Sequence, residues 1–162
     1  MLAHAIARLN ASVQTWNNWR IENPAAAIDL QRADLSGKDY SGADLRFADL
    51  RGAVLRGTSL KGSLLASARL SGADLSRASF DLADLSLADA RGAYFIYSTL
   101  REAKMRQTNL NGANMMGADM QGADLNSAIL LETVLVMPTF AAHAGSNIVI
   151  SQVPALSTIA LL

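Results

Sequence analysis

No cysteine occurs among the 162 residues, which excludes disulfides, thiol nucleophiles and thiolate metal sites. Proline is nearly as scarce: the three copies are Pro24, Pro138 and Pro154, and none falls between the first two. Charge of neither sign dominates, since 14 Lys/Arg balance 14 Asp/Glu, so no global field recruits nucleic acid or anionic lipid. The longest apolar runs stay short of the 18 or so residues a membrane span requires. Only two histidines are present, His4 and His143, near opposite ends, where lone surface residues are the simpler reading. No metal-ligand cluster, phosphate loop or nucleophile signature accompanies them. No catalytic, cofactor-binding or metal residue is therefore assigned, and an enzyme is not expected. The N-terminus lacks the basic start and continuous apolar core of a secretory signal, which makes a cytoplasmic protein the expectation.

What the chain does have is a column of large residues at every fifth position from Leu30 to Leu135, without an insertion. Of its 22 members 15 are Leu, and only Ala90 is small. Two residues before each lies a second column, Ala at 15 of 22 and Ser or Thr at five more. A helix turns about 100° per residue, so a spacing of five makes no single stripe. In a flat strand an odd spacing alternates faces. The column is buried only if the chain bends once per repeat, with the small and the large residue pointing the same way along a short extended piece. Ten of the eleven glycines fall two after the large residue, where a tight corner calls for positive φ. Regular corners and self-pairing predict an all-β solenoid.

Segments such as Ala43-Asp44-Leu45-Arg46-Phe47, Ala48-Asp49-Leu50-Arg51-Gly52 and Ala73-Asp74-Leu75-Ser76-Arg77 resemble the A(D/N)LXX units of the pentapeptide-repeat family. The resemblance covers about two-thirds of the chain. It implies a right-handed quadrilateral β-helix, the Rfr fold, with four repeats per coil. The 22 repeats would then make about five and a half coils and a rod of roughly 26 Å. The family carries no conserved catalytic site to transfer.

The expected domains are an N-terminal helical cap over 1–27, the β-helix over 28–137, and an apolar C-terminal cap or dimerisation segment over 138–162. Leu2, Ile6, Leu9, Val13 and Trp16 recur at helical spacing, predicting one amphipathic helix from residue 2 to about 20. Arg8 and Arg20, with no acid before Glu22, also fit a transit peptide, although a cap is favoured because solenoid ends expose strand edges. The segment Trp16-Asn17-Asn18-Trp19-Arg20 resembles the lead-in of some cyanobacterial family members. Lys38 stands in the inward small column, and its stem is expected to leave through the open end or to meet an acid there. Ala90 would leave a Leu-sized gap between Leu70 and Leu110 unless its neighbours close in.

Outward positions are read in steps of twenty. Arginines interleave with aspartates on all faces, leaving no basic stripe. The aspartates lack the Gly-Gly spacing of calcium-binding β-rolls, so solvated or turn-bonding roles are favoured. Toward the C-terminal half of one face Tyr94, Ile96, Tyr97, Met116, Val134, Val136 and Met137 should all look outward. Contiguous exposed apolar surface marks a contact, so these are the candidate protein interface. The expected partner is an unidentified protein, with a homodimer through the C-terminal segment as a further option and no direct nucleic-acid binding. The leading functional expectation is a non-enzymatic protein-binding module. The alternative, which the resemblance implies for some members, is protection or inhibition of gyrase by imitating DNA, and it calls for an acidic rod.

Overall fold

The computed structural model describes residues 2–135 and 160–161. Two helices open the chain, α1 (Leu2–Ala11) and α2 (Val13–Glu22). Where the spacing predicted one helix, Ser12 breaks it: its backbone is extended at φ −172° and ψ 152°, and its Oγ accepts the Thr15 N–H at 3.0 Å. That is an N-cap, which starts a second helix rather than continuing the first. The apolar spacing still selects the buried side, because Leu9 and Trp16 are buried and Ile6 and Val13 pack against the core.

From Asp29 onward the backbone repeats one five-residue unit. A bridge residue is followed by the large residue, two turn residues and the small residue. Every corner from Leu30 to Thr133 except the one ending at Lys38 is closed by the small residue's N–H donating to the large residue's C=O three back, as from Ala73 to Leu70 at 2.9 Å. The second turn residue has positive φ throughout, whether it is Gly, as at Gly72 (66°), or a side-chain residue, as at Leu82 (62°). None of these non-glycine residues is β-branched, the class for which left-handed backbone is most strained.

Isolated parallel bridges join residues twenty apart, from Asp29↔Asp49 to Asn114↔Val134, so four repeats complete one turn of the solenoid. Leu50 N–H donates to Arg69 C=O at 2.8 Å, and Arg69 N–H donates to Ala48 C=O at 2.9 Å, and this pair of bonds recurs up the ladder. Corners come too often for extended strands to develop. The two named strands are β1 (Val134–Leu135) and β2 (Ala160–Leu161), paired in parallel with Val134 opposite Ala160.

Both inward columns are buried, as the five-residue pattern requires, and Leu50, Leu70 and Leu110 have no exposed surface. Lys38 is the exception in the small column. It is exposed, and no carboxylate lies within salt-bridge distance among the described residues. Ala90 is fully buried, and the rings of Phe80 and Phe95 stand 5.7 Å apart in the same stretch of shaft. The inward hydroxyls are satisfied locally, Thr108 Oγ1 donating to Leu85 C=O at 2.8 Å and Ser98 Oγ to Phe95 C=O at 2.8 Å.

Outside, the aspartates close their own corners, as Asp34 does by accepting the Ser36 N–H at 3.0 Å. Others pair with arginine two residues on (Arg51 with Asp49, 2.7 Å), twenty on (Arg69 with Asp49, 3.2 Å) or eighteen back (Arg101 with Asp119, 2.7 Å). Seven of these carboxyls are held below the usual carboxylate range. The leading cause is a side-chain hydrogen bond from serine at Asp34 and Asp39, and from arginine at Asp44, Asp49, Asp89 and Asp124. At Asp74 burial pushes upward, and the hydrogen bonds from Ser76 and Arg56 outweigh it. A depressed carboxyl adds stability above its unfolded value, near pH 4, and loses it as the pH falls through the folded value. Thermal melts should therefore shift downward between about pH 5 and pH 2. An unchanged midpoint over that window would contradict these assignments.

Candidate protein interface

The bridge register places Tyr94, Asn114 and Val134 one above another, with Ile96 and Tyr97 at the adjoining corner. Tyr94 is 47% exposed and Tyr97 57%, while Ile96 and Met116 are half-buried. Val134 is exposed at the last described coil, and Val136 and Met137 lie outside the described residues. Four of the seven residues, Tyr94, Ile96, Tyr97 and Met116, thus sit on two neighbouring coils. Asn114 interrupts the column between Tyr94 and Val134, and its Oδ1 accepts the Met116 N–H at 3.1 Å.

Tyr97 is held in a left-handed corner (φ 56°), and its ring lies over Gly117 of the next coil. A Cβ at Gly117 would collide with the ring carbons Cδ1 and Cε1, and the residue itself has φ +68°. Glycine here provides the flat seat that keeps the ring down, and the ring presents a large apolar face with a polar hydroxyl. Neither tyrosine appears among the described side-chain hydrogen bonds. Among the described residues no group of three or more His, Asp or Glu is placed to hold a metal ion.

Reading outward positions in steps of twenty overlooked a second group. Phe47, Leu64, Leu82 and Leu87 are exposed around the side of the solenoid that carries Asp44 and Asp84. The Phe47, Ser67, Leu87 column was readable from the repeat, because all three occupy the second turn position. Ile129 and Leu131 add exposed apolar surface next to Val134.

A parallel solenoid cornered every five residues and closing every twenty defines the structural class. A family model for pentapeptide repeats matches eight copies over residues 28–65, 68–107 and 93–130. The chain belongs to the pentapeptide-repeat family, whose members form right-handed quadrilateral β-helices. No curated protein matches it. Among solved structures it is similar to HetL, a pentapeptide repeat protein involved in heterocyst differentiation regulation in the cyanobacterium Nostoc sp. strain PCC 7120. Identity is 32% over 72% of this chain and 56% of HetL, with TM-score 0.41. It is also similar to a pentapeptide repeat protein of the Arabidopsis thaliana thylakoid lumen, at 38% identity, 63% and 68% coverage, and TM-score 0.42. QnrB1, a plasmid-mediated fluoroquinolone resistance protein, matches at 22% identity, 67% and 55% coverage, and TM-score 0.59. The chain spans a little over half the length of HetL and of QnrB1.

Proposed function

We propose that the chain is a non-enzymatic protein-binding module of the cytoplasm, whose solenoid presents Tyr94, Ile96, Tyr97, Met116 and Val134 to a protein partner. The observation that carries this reading is Tyr97, an exposed ring seated on Gly117. A preordered aromatic loses little side-chain freedom on binding, and tyrosine is enriched among the residues that dominate interfaces. Val136 and Met137, outside the described residues, join this proposed surface by their phase in the repeat alone. In this reading residues 1–27 close the first coil and residues 28–137 make about five and a half coils. For residues 138–162, of which only 160–161 are described, a cap over the last coil is the first option, in keeping with the β1–β2 pairing. Dimerisation through that segment is the second option for it.

Gyrase protection by DNA imitation, the alternative, calls for a rod of one sign of charge. Here the aspartates are matched by arginines on the same faces, including Arg46 with Asp44, Arg91 with Asp89, and Arg106 with Asp124. The pattern argues against that role, and against direct nucleic-acid binding. Added to gyrase in a supercoiling assay, with and without fluoroquinolone, the chain is expected to change nothing.

The deciding experiment is capture of partners from extracts of the native host with the full chain and with Ile96→Asp, Tyr97→Asp and Gly117→Ala. Losing a hot-spot contact weakens capture by roughly thirtyfold or more. Gly117→Ala leaves the Tyr97 side chain in place chemically but lifts its ring. An unchanged set of partners in all three variants, each folded by circular dichroism, would remove this face from consideration.

A further inference from the structure

A solenoid end leaves one row of backbone groups without a neighbouring coil. On the Asp44 side of the first coil, α2 supplies substitutes from its side chains. Trp16 Nε1 donates to Asp44 C=O at 2.8 Å, and Asn17 Oδ1 accepts the Asp44 N–H at 2.9 Å. Arg20 Nη2 donates to Arg46 C=O at 3.2 Å. Beyond that side the helices reach, among the described residues, only Tyr40, whose hydroxyl donates to Asn10 Oδ1 at 2.5 Å, and Gly42, whose C=O accepts from Asn17 Nδ2 at 2.9 Å. Among the described residues the N–H and C=O groups of Asp34 and Asp39 have no hydrogen-bond partner on the open edge. One coil on, the equivalent N–H groups of Val54 and Ser59 donate to Ala33 and Lys38 C=O, both at 2.9 Å.

An unpaired parallel edge accepts another strand. This edge corners between Asp34 and Asp39, so a straight segment follows only one side of it, whereas a second copy of the chain carries the same corner. Between these two acids stands Lys38, the single member of the small inward column that is exposed. Just inside it Leu35 and Tyr40 are buried. The Tyr40 hydroxyl is pushed up to about 12, by burial first and by the Asp34 charge second.

We propose that Lys38 is a guard residue, whose ammonium keeps the open first-coil edge at Asp34 and Asp39 from pairing with the same edge of a second copy. Two such edges brought together would trap two like charges at the Asp34–Asp39 rim, beside the part of the shaft that Leu9 and Trp16 close. No carboxylate stands within salt-bridge distance of Lys38 to compensate them. Small residues in the same column, such as Ala33 and Ala43, leave the shaft closed and dry. This reading is independent of the Tyr97 face, on another coil.

Sedimentation of the full chain tests it, comparing the parent with Lys38→Leu, Lys38→Ala, Lys38→Arg and Lys61→Leu. Both neutral variants at position 38 should double the parent's mass, with a self-association constant tightened at least about tenfold. Hydrogen exchange should slow at the Asp34 and Asp39 amides in the doubled species. Lys38→Arg keeps the charge and should sediment as the parent. Lys61→Leu removes an exposed lysine from an outer corner of the second coil and should do the same. The proposal is overturned if the neutral variants keep the parent's mass, if Lys61→Leu associates as strongly, or if the slowed amides lie elsewhere. Should Lys38→Leu misfold, Lys38→Ala carries the comparison.

Discussion

Replacing Leu70 by Asp should abolish the folded state or bring it to the edge of unfolding. Leu70 has no exposed surface, and its N–H donates to Asp89 C=O at 2.7 Å, which fixes its backbone in the ladder. Truncating a buried Leu costs about 2–5 kcal/mol. A buried carboxyl without a partner adds roughly 1–3 kcal/mol even when it takes up a proton. The sum is comparable with the whole stability of an ordinary domain, about 5–15 kcal/mol. The same substitution at Leu87 serves as the reference. Leu87 is exposed at a corner with φ 62°, a conformation that Asp tolerates better than Leu does. Leu87→Asp should therefore leave the urea midpoint within experimental scatter or raise it slightly. Equal midpoints for the two variants would mean that the fifth-residue column is not a dry core.

The contrast between those two leucines shows which part of the molecule is legible in its sequence. Leu70 and Leu87 are chemically identical, and only their phase in the five-residue count separates core from surface. That count is strict because each repeat must deliver one large residue and one small residue into a narrow shaft. The corners are legible for the same reason, although the non-glycine residues at positive φ, such as Phe47 and Arg77, show that the conformation is imposed by the ladder. The helix break at Ser12 was harder to see, since the apolar spacing runs on across it. Lys38 stands out as an irregularity, and it is exposed, with no acid within salt-bridge distance among the described residues. The outward face was legible only in part. Tyr94 and Tyr97 are exposed as their phase predicts. Phe47, Leu64, Leu82 and Leu87 are exposed too and were passed over, because singly scattered apolar residues carry little signal until the coil register sets them side by side. Outward positions do not shape the backbone, so the repeat says little about what they bind.

Trp16→Ala should detach the N-terminal helices while leaving the central coils folded. The indole has no exposed surface, touches the Trp19 ring at 5.4 Å between centroids, and reaches the first coil through its Nε1 bond to Asp44 C=O. Truncating a buried Trp costs about 3–5 kcal/mol, and the orphaned carbonyl adds to that. The neighbouring anchors are weak compensation. Asn17 holds Gly42 C=O and Asp44 N–H, both at 2.9 Å, from a half-buried position. Arg20 is buried with its Nε unsatisfied, 3.8 Å from an Asp44 oxygen, so it gains water when α2 departs. Coils of a solenoid contact only their neighbours, and loss at one end need not travel. Amide exchange should therefore quicken by several orders of magnitude at Asp44 and its hydrogen-bonded first-coil neighbours, while amides around Leu70 to Leu100 keep the parent's protection. Trp19→Ala, at a half-buried site, should produce a smaller version of the same pattern. First-coil amides that stay protected in Trp16→Ala would show that α2 contributes nothing to closing that end.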